Sequence, residues 1–163
     1  MRPESFDYRD NLSALVRQSV RFVVIGGVAM ALYGSDHNTS DLDFCYARDP
    51  ANLEKLVAAL APLHPSLRGA PEGLPFLWDS RTLRNGLNFT LSTDYGSLDL
   101  IGEPTGVDSF DGLWNRATVF DLRGLIVRVA SIDDLIVMKQ AAGRPKDLNH
   151  ILELKALREI QAG

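Results

Sequence analysis

The chain has 163 residues, 45% of them hydrophobic, which is enough for one core and too few for two comfortable ones. With 17 Lys and Arg against 21 Asp and Glu, its formal charge is −4, which argues against a broad basic face for nucleic acid but leaves room for a local basic cluster. Its one cysteine, Cys45, excludes an internal disulfide and a multi-cysteine zinc site.

The start, Met1-Arg2-Pro3-Glu4, has no apolar core of a secretion signal, and no apolar run approaches the roughly 20 residues of a membrane span. A cytoplasmic protein with no membrane partner is expected. Residues 9–19 carry Leu12, Leu15 and Val16 at helical spacing and predict a leading helix. Phe22 to Ile25 is a continuous, β-branched run and reads as a buried strand. A helix is expected over Val28 to Tyr33, closed by Gly34, and a second strand over Leu42 to Tyr46. Asp49-Pro50 starts a helix whose apolar face is Leu53, Leu56, Val57 and Leu60.

Residues 62–75, with four prolines and two glycines, read as a loop held in place by Leu63, Leu67 and Leu74. Leu87 to Thr93 and Ser97 to Ile101 predict a hairpin around Asp94-Tyr95-Gly96. Thr118 to Val129 predicts another, turning at Arg123-Gly124. Ser131 caps a helix, with Asp134 as a capping-box partner, and that helix stops at Gly143. Arg144-Pro145 opens a last helix with Leu148, Ile151, Leu152, Leu154 and Leu157 facing inward. Trp78 and Trp114 read as core or loop anchors, and Cys45 as a small core residue. The expected fold class is α/β (α+β), a small mixed sheet flanked by helices, in a single domain over 1–163.

Four groups of residues carry possible chemistry. Gly26-Gly27 follows a strand and opens a helix, which lets backbone approach a phosphate, although a tight turn alone also explains it. Asp41 and Asp43 are two apart, so on a strand both point the same way while Leu42 and Phe44 enter the core. Two carboxylates about 4 Å apart repel by roughly 4 kcal/mol at an effective dielectric near 20. A bound Mg²⁺ relieves that repulsion. Asp99 lies in a strand, where aspartate is disfavoured, and is either a solvent-facing residue or a third metal ligand. Three converging carboxylates would mark a two-metal phosphoryl or nucleotidyl transfer site. Lys139, Arg144 and Lys146 cluster where the last two helices break; they are phosphate clamps or ordinary solvated charges near a helix C-terminus. Asp147 caps the last helix or pairs with Arg144. Arg68, Arg81 and Arg84 border the proline-rich loop and would face a triphosphate or an RNA acceptor. The scattered His37, His64 and His150 argue against zinc.

Gly26-Gly27, then Tyr33-Gly34, then Thr39-x-Asp41-Leu42-Asp43, resembles the signature of the DNA polymerase beta-type nucleotidyltransferase superfamily. It is most similar to the small bacterial branch that includes the nucleotidyltransferase toxins of type IV toxin–antitoxin systems. The tail Asp134-Leu135-Ile136-x-x-Lys139, followed by Ala142-Gly143-Arg144-x-Lys146-Asp147-Leu148, resembles the ending of the same group. The resemblance runs from about residue 20 to about residue 157. It implies that Asp41, Asp43 and Asp99 ligate two Mg²⁺ ions and that Asp99 also acts as base toward the acceptor hydroxyl. Gly26, Gly27, Thr39, Lys139 and Arg144 become the candidate nucleotide-binding residues. The implied reaction is transfer of a nucleoside monophosphate from an NTP to an RNA (possible tRNA), protein or small-molecule hydroxyl. A toxin role and a cognate antitoxin protein are implied as well. Two positions depart from the pattern: Gly27 stands where many members have serine, and His37 where the toxin-like branch often has arginine. The alternatives are a catalytically inactive binding or regulatory module on the same fold, and direct RNA binding through the arginines and lysines.

Overall fold

A computed structural model describes residues 8–36, 39, 41–71, 73 and 75–162. Met1 to Glu4, His37 and Leu74, which carry expectations above, lie outside the described residues.

The first helix, α1 (Arg9–Arg17), buries Leu12 and Leu15. It leads to β1 (Phe22–Ile25), whose four residues are all buried, as a strand covered on both faces must be. Helix α2 (Gly26–Leu32) begins at the glycine pair itself, two residues earlier than Val28, so both glycines belong to its first turn. Strand β2 (Asp41–Tyr46) starts on Asp41 and buries Leu42 and Phe44 fully. Helix α3 (Pro50–Leu60) is capped by Asp49, whose carboxylate accepts the Asn52 N–H at 3.1 Å.

The proline-rich segment is more regular than a loop. After a 3₁₀ turn over Ala61–Leu63, a two-residue strand β3 (Ser66–Leu67) joins the sheet. Helix α4 (Ser80–Asn85), capped by Asp79, precedes the hairpin of β4 (Asn88–Thr93) and β5 (Gly96–Ile101). Helix α5 (Phe110–Arg116), capped by Ser109, precedes the hairpin of β6 (Thr118–Leu122) and β7 (Leu125–Val129). At its turn Arg123 and Gly124 both have positive φ, the geometry that matches strand twist in a two-residue loop. Helices α6 (Ile132–Ala142) and α7 (Pro145–Ala162) complete the chain.

The strands form one sheet in the order β3-β4-β5-β2-β1-β7-β6. The β2–β5 and β1–β7 pairs are parallel and the others antiparallel. A continuous core joins the sheet to Leu12 and Leu15 of α1, Leu53 and Leu56 of α3, and Leu135 and Ile136 of α6. Asn52, buried in that core, accepts from the Arg21 N–H and donates to the carbonyls of Arg21 and Ala47. It thereby pins α3 to the ends of β1 and β2.

Two expectations are corrected. Ser131 does cap α6, accepting from the Asp134 N–H at 3.0 Å, but the Asp134 carboxylate turns away to Arg116 at 2.8 Å rather than closing a capping box. In α7, Leu154 is buried and Ile151 and Leu157 pack partly against the core, whereas Leu148 and Leu152 are 65% and 66% exposed. A helix turns about 100° per residue, so Leu152 lies about 200° round from Leu154 and cannot share its face. Among the described residues, no helix is long and apolar enough to cross a membrane.

Candidate active site: a carboxylate cluster against a glycine turn

The parallel pairing of β2 with β5 sets Asp43 opposite Asp99 and Asp41 opposite Ser97. Asp99 in turn is opposite Thr90 of β4, and Asp43 opposite Ile25 at the end of β1. Residues paired in register project to the same face of a sheet. The three aspartates therefore share one face, immediately beside the point where β1 runs into Gly26.

Asp43 is the most constrained of them. Its Oδ1 is buried and, among the described residues, has no hydrogen-bond partner. Its pKa is pushed up to about 7, first by burial, then by the charge of Asp99 and a side-chain hydrogen bond with it, then by Asp41; Lys139 opposes the shift.

Gly26 makes room for Asp43, and Gly27 for Thr39. Gly26 has φ +70°, a left-handed conformation open to glycine, and a Cβ on it would overlap Asp43 Oδ2. A Cβ on Gly27 would stand 2.8 Å from Thr39 Oγ1. Thr39 donates through Oγ1 to the Asp41 carbonyl at 3.1 Å, which ties the entry of β2 to the glycine turn.

The basic residues divide. Lys139, on α6, has its ammonium 3.3 Å from Asp147 Oδ1 and is also close enough to favour ionisation of Asp43. Asp147 is 1% exposed; its Oδ2 accepts from the Arg144 N–H at 3.0 Å and from Arg144 Nε at 2.8 Å, so it both caps α7 and pairs with Arg144. Those bonds and Lys139 hold its pKa well below the usual carboxylate range. Arg144 is thus directed by Asp147 and, among the described residues, forms no ion pair with the three acids. Arg68 is the residue whose position the sequence did not convey. It follows β3, and its Nη2 lies 2.5 Å from Asp99 Oδ1 while Nη1 lies 3.8 Å from Asp41 Oδ1. Arg84 lies elsewhere, lining a small hollow of about 150 Å³ with Pro50, Leu53 and Glu54.

Carboxylate oxygens suit a hard cation, and Asp43 Oδ1 is an acceptor that no donor meets among the described residues. The residues therefore fit Mg²⁺ by chemistry. Among the described residues, however, no three Asp, Glu, His or Cys side chains are gathered into a finished metal cage. Mg²⁺ does not demand one, since it is commonly held by one or two carboxylates with the remaining ligands from water and substrate phosphates.

Comparison with solved structures defines the class of fold. No protein-family model matches the chain, and neither does any curated protein sequence. The lincosamide antibiotic adenylyltransferase LnuA, solved with lincomycin bound, superposes with TM-score 0.60 at 15% identity, over 90% of this chain and 93% of that one. ANT(2")-Ia, solved with adenylyl-2"-tobramycin, gives 0.57 at 15% identity, over 93% and 85%. A candidate nucleotidyltransferase from Thermotoga maritima gives 0.51 at 15% identity, over 94% and 89%. The chain has the nucleotidyltransferase fold.

Proposed function

We propose that this chain is a Mg²⁺-dependent nucleotidyltransferase that moves a nucleoside monophosphate from an NTP to a hydroxyl group. The observation that carries the reading is Asp43, its buried oxygen without a donor, facing Asp99 across a parallel ladder beside the glycine turn. The fold likeness to the adenylyltransferase LnuA and to ANT(2")-Ia, solved with an adenylylated tobramycin, supports the same chemistry. Residues 1–163 are taken as one catalytic domain, supported by a single continuous core.

In this reading Asp41, Asp43 and Asp99 would hold two Mg²⁺ ions. Those ions would supply charge neutralisation for the oxygens of the triphosphate as the α-phosphorus is attacked. Gly26 and Gly27 give the phosphates a backbone without side chains, with Thr39 fixing the turn. Lys139 adds a cation near Asp43, and Arg144 a second near Asp147. The acceptor oxygen bonds to the α-phosphorus as the α–β anhydride bond breaks. Pyrophosphate leaves, and Asp99 takes the hydroxyl proton. LnuA, a lincosamide antibiotic adenylyltransferase, and ANT(2")-Ia, solved with adenylyl-2"-tobramycin, make ATP the first donor to try and a small-molecule hydroxyl the first acceptor. Transfer to RNA or protein would instead favour a toxin-like role with an antitoxin partner.

Calorimetric titration with ATP, CTP, GTP and UTP in Mg²⁺ tests the reading, comparing the natural chain with Asp41→Asn/Asp43→Asn. Metal-dependent binding that the double variant loses supports it. Absence of binding at millimolar NTP sinks it and turns the search to a non-catalytic module.

A further inference from the structure

The carboxylate cluster already carries a cation of its own. Arg68 is anchored to the sheet by its backbone N–H, which donates to the Thr90 carbonyl at 2.9 Å, and by Nη1, which donates to the Leu91 carbonyl at 3.1 Å. From that anchor the guanidinium spans the two outer acids, 2.5 Å from Asp99 and 3.8 Å from Asp41. Asp43 lies on the same face with its orphan oxygen, and no ion pair to it is formed among the described residues. The guanidinium therefore neutralises the members of the cluster that solvent also reaches, and leaves the buried one.

We propose that Arg68 is the counter-ion of the metal-free cluster, and that a divalent cation displaces its guanidinium from Asp41 and Asp99 on binding. The inference rests on the metal-binding reading above. Mg²⁺ sits about 2.0–2.1 Å from each ligating oxygen. An ion on Asp99 Oδ1 would then share that oxygen with a guanidinium nitrogen 2.5 Å away, placing three positive charges around one lone-pair set. The two cations compete for the oxygen rather than sharing it. Arg68 is consequently a positioning residue: it keeps Asp41 and Asp99 drawn toward one another before the metal arrives, and its bond to the Leu91 carbonyl gives the side chain a resting place once it lets go.

The test uses Mn²⁺ alone as probe, its free concentration read by electron paramagnetic resonance, with no nucleotide present. Arg68→Ala should bind Mn²⁺ about tenfold more tightly than the natural chain, the worth of one charge-assisted hydrogen bond removed from the metal-free state only. The same variant should melt at lower temperature in chelator, and Arg68→Lys should restore that stability with an affinity between the two. If Arg68→Ala folds poorly, Arg68→Gln keeps hydrogen-bonding capacity without charge and should also bind more tightly. A residue that merely supported the fold would lower stability and leave Mn²⁺ affinity equal or weaker; that result overturns the proposal and spares the metal site. No Mn²⁺ binding by any variant, with Asp43→Asn indistinguishable from the natural chain, overturns the metal reading along with it.

Discussion

Asp43 and Asp99 face one another across the β2–β5 ladder, and the inner of the two is the one whose oxygen lacks a donor among the described residues. A sheet that places like charges in register has to keep one of them protonated or supply a cation.

Without metal, Asp43 keeps its proton in the folded chain up to about pH 7, whereas unfolded it releases it near the ordinary carboxylate value of 3.8. The folded state therefore binds the extra proton between those values, and stability falls as pH rises through that window. Asp43→Asn removes the titration. In chelator at pH 8 it should be more stable than the natural chain by about 1–3 kcal/mol, with the difference shrinking toward pH 4. Thermal melts at pH 5 and pH 8 measure this. Transfer activity should be abolished in the same variant.

Gly26→Ala forces a side chain into a left-handed position and against Asp43 Oδ2. The backbone term costs about 1–2 kcal/mol, and the carboxylate has to move as well. A folded variant with a lowered melting point and Mn²⁺ affinity reduced at least about tenfold is expected. Unchanged metal affinity would show that Asp43 tolerates displacement.

The second glycine has its own partner. A Cβ at Gly27 would meet Thr39 Oγ1 at 2.8 Å and Thr39 Cβ at 2.9 Å, so Thr39 fills the space that a serine there would need. Gly27→Ser should destabilise by about 1–3 kcal/mol, as overpacking does. Combined with Thr39→Gly the two changes should couple favourably by about 1 kcal/mol in a double-mutant cycle followed by urea unfolding.

Asp147 accepts from Arg144 and Lys139 from a nearly sealed position. Asp147→Asn leaves both cations short of a counter-charge and should lower stability by about 2 kcal/mol at pH 7. Its folded pKa is depressed, so this contribution is present above about pH 4 and is lost as pH falls further. Urea midpoints of the two chains should converge in acid.

Much of the architecture is legible from local chemistry. The Asp49 and Ser131 caps, the Gly143 stop and the Arg123-Gly124 turn all form as their residues dictate. Alternation along β2 and β5 is equally plain, since Leu42, Phe44, Leu98 and Leu100 are buried and the aspartates between them are not fully so. Helices α4 and α5 went unseen although Asp79 and Ser109 cap them, because six and seven residues give too few turns for a periodic signal. Strand β3 is two residues long and exists only because β4 accepts it.

The sequence by itself determined which residues share a face, because side-chain direction follows from a period of two on a strand and 3.6 on a helix. It thereby aligned Asp41 with Asp43 and named the glycine turn. Only the tertiary structure decided what those faces meet. The register of β5 against β2 set Asp99 beside Asp43, the path of β3 carried Arg68 onto Asp41 and Asp99, and the narrow seat of α7 left Leu148 and Leu152 exposed. Periodicity is a property of one segment, whereas charge pairing and burial belong to two, and the second segment can lie anywhere in the chain.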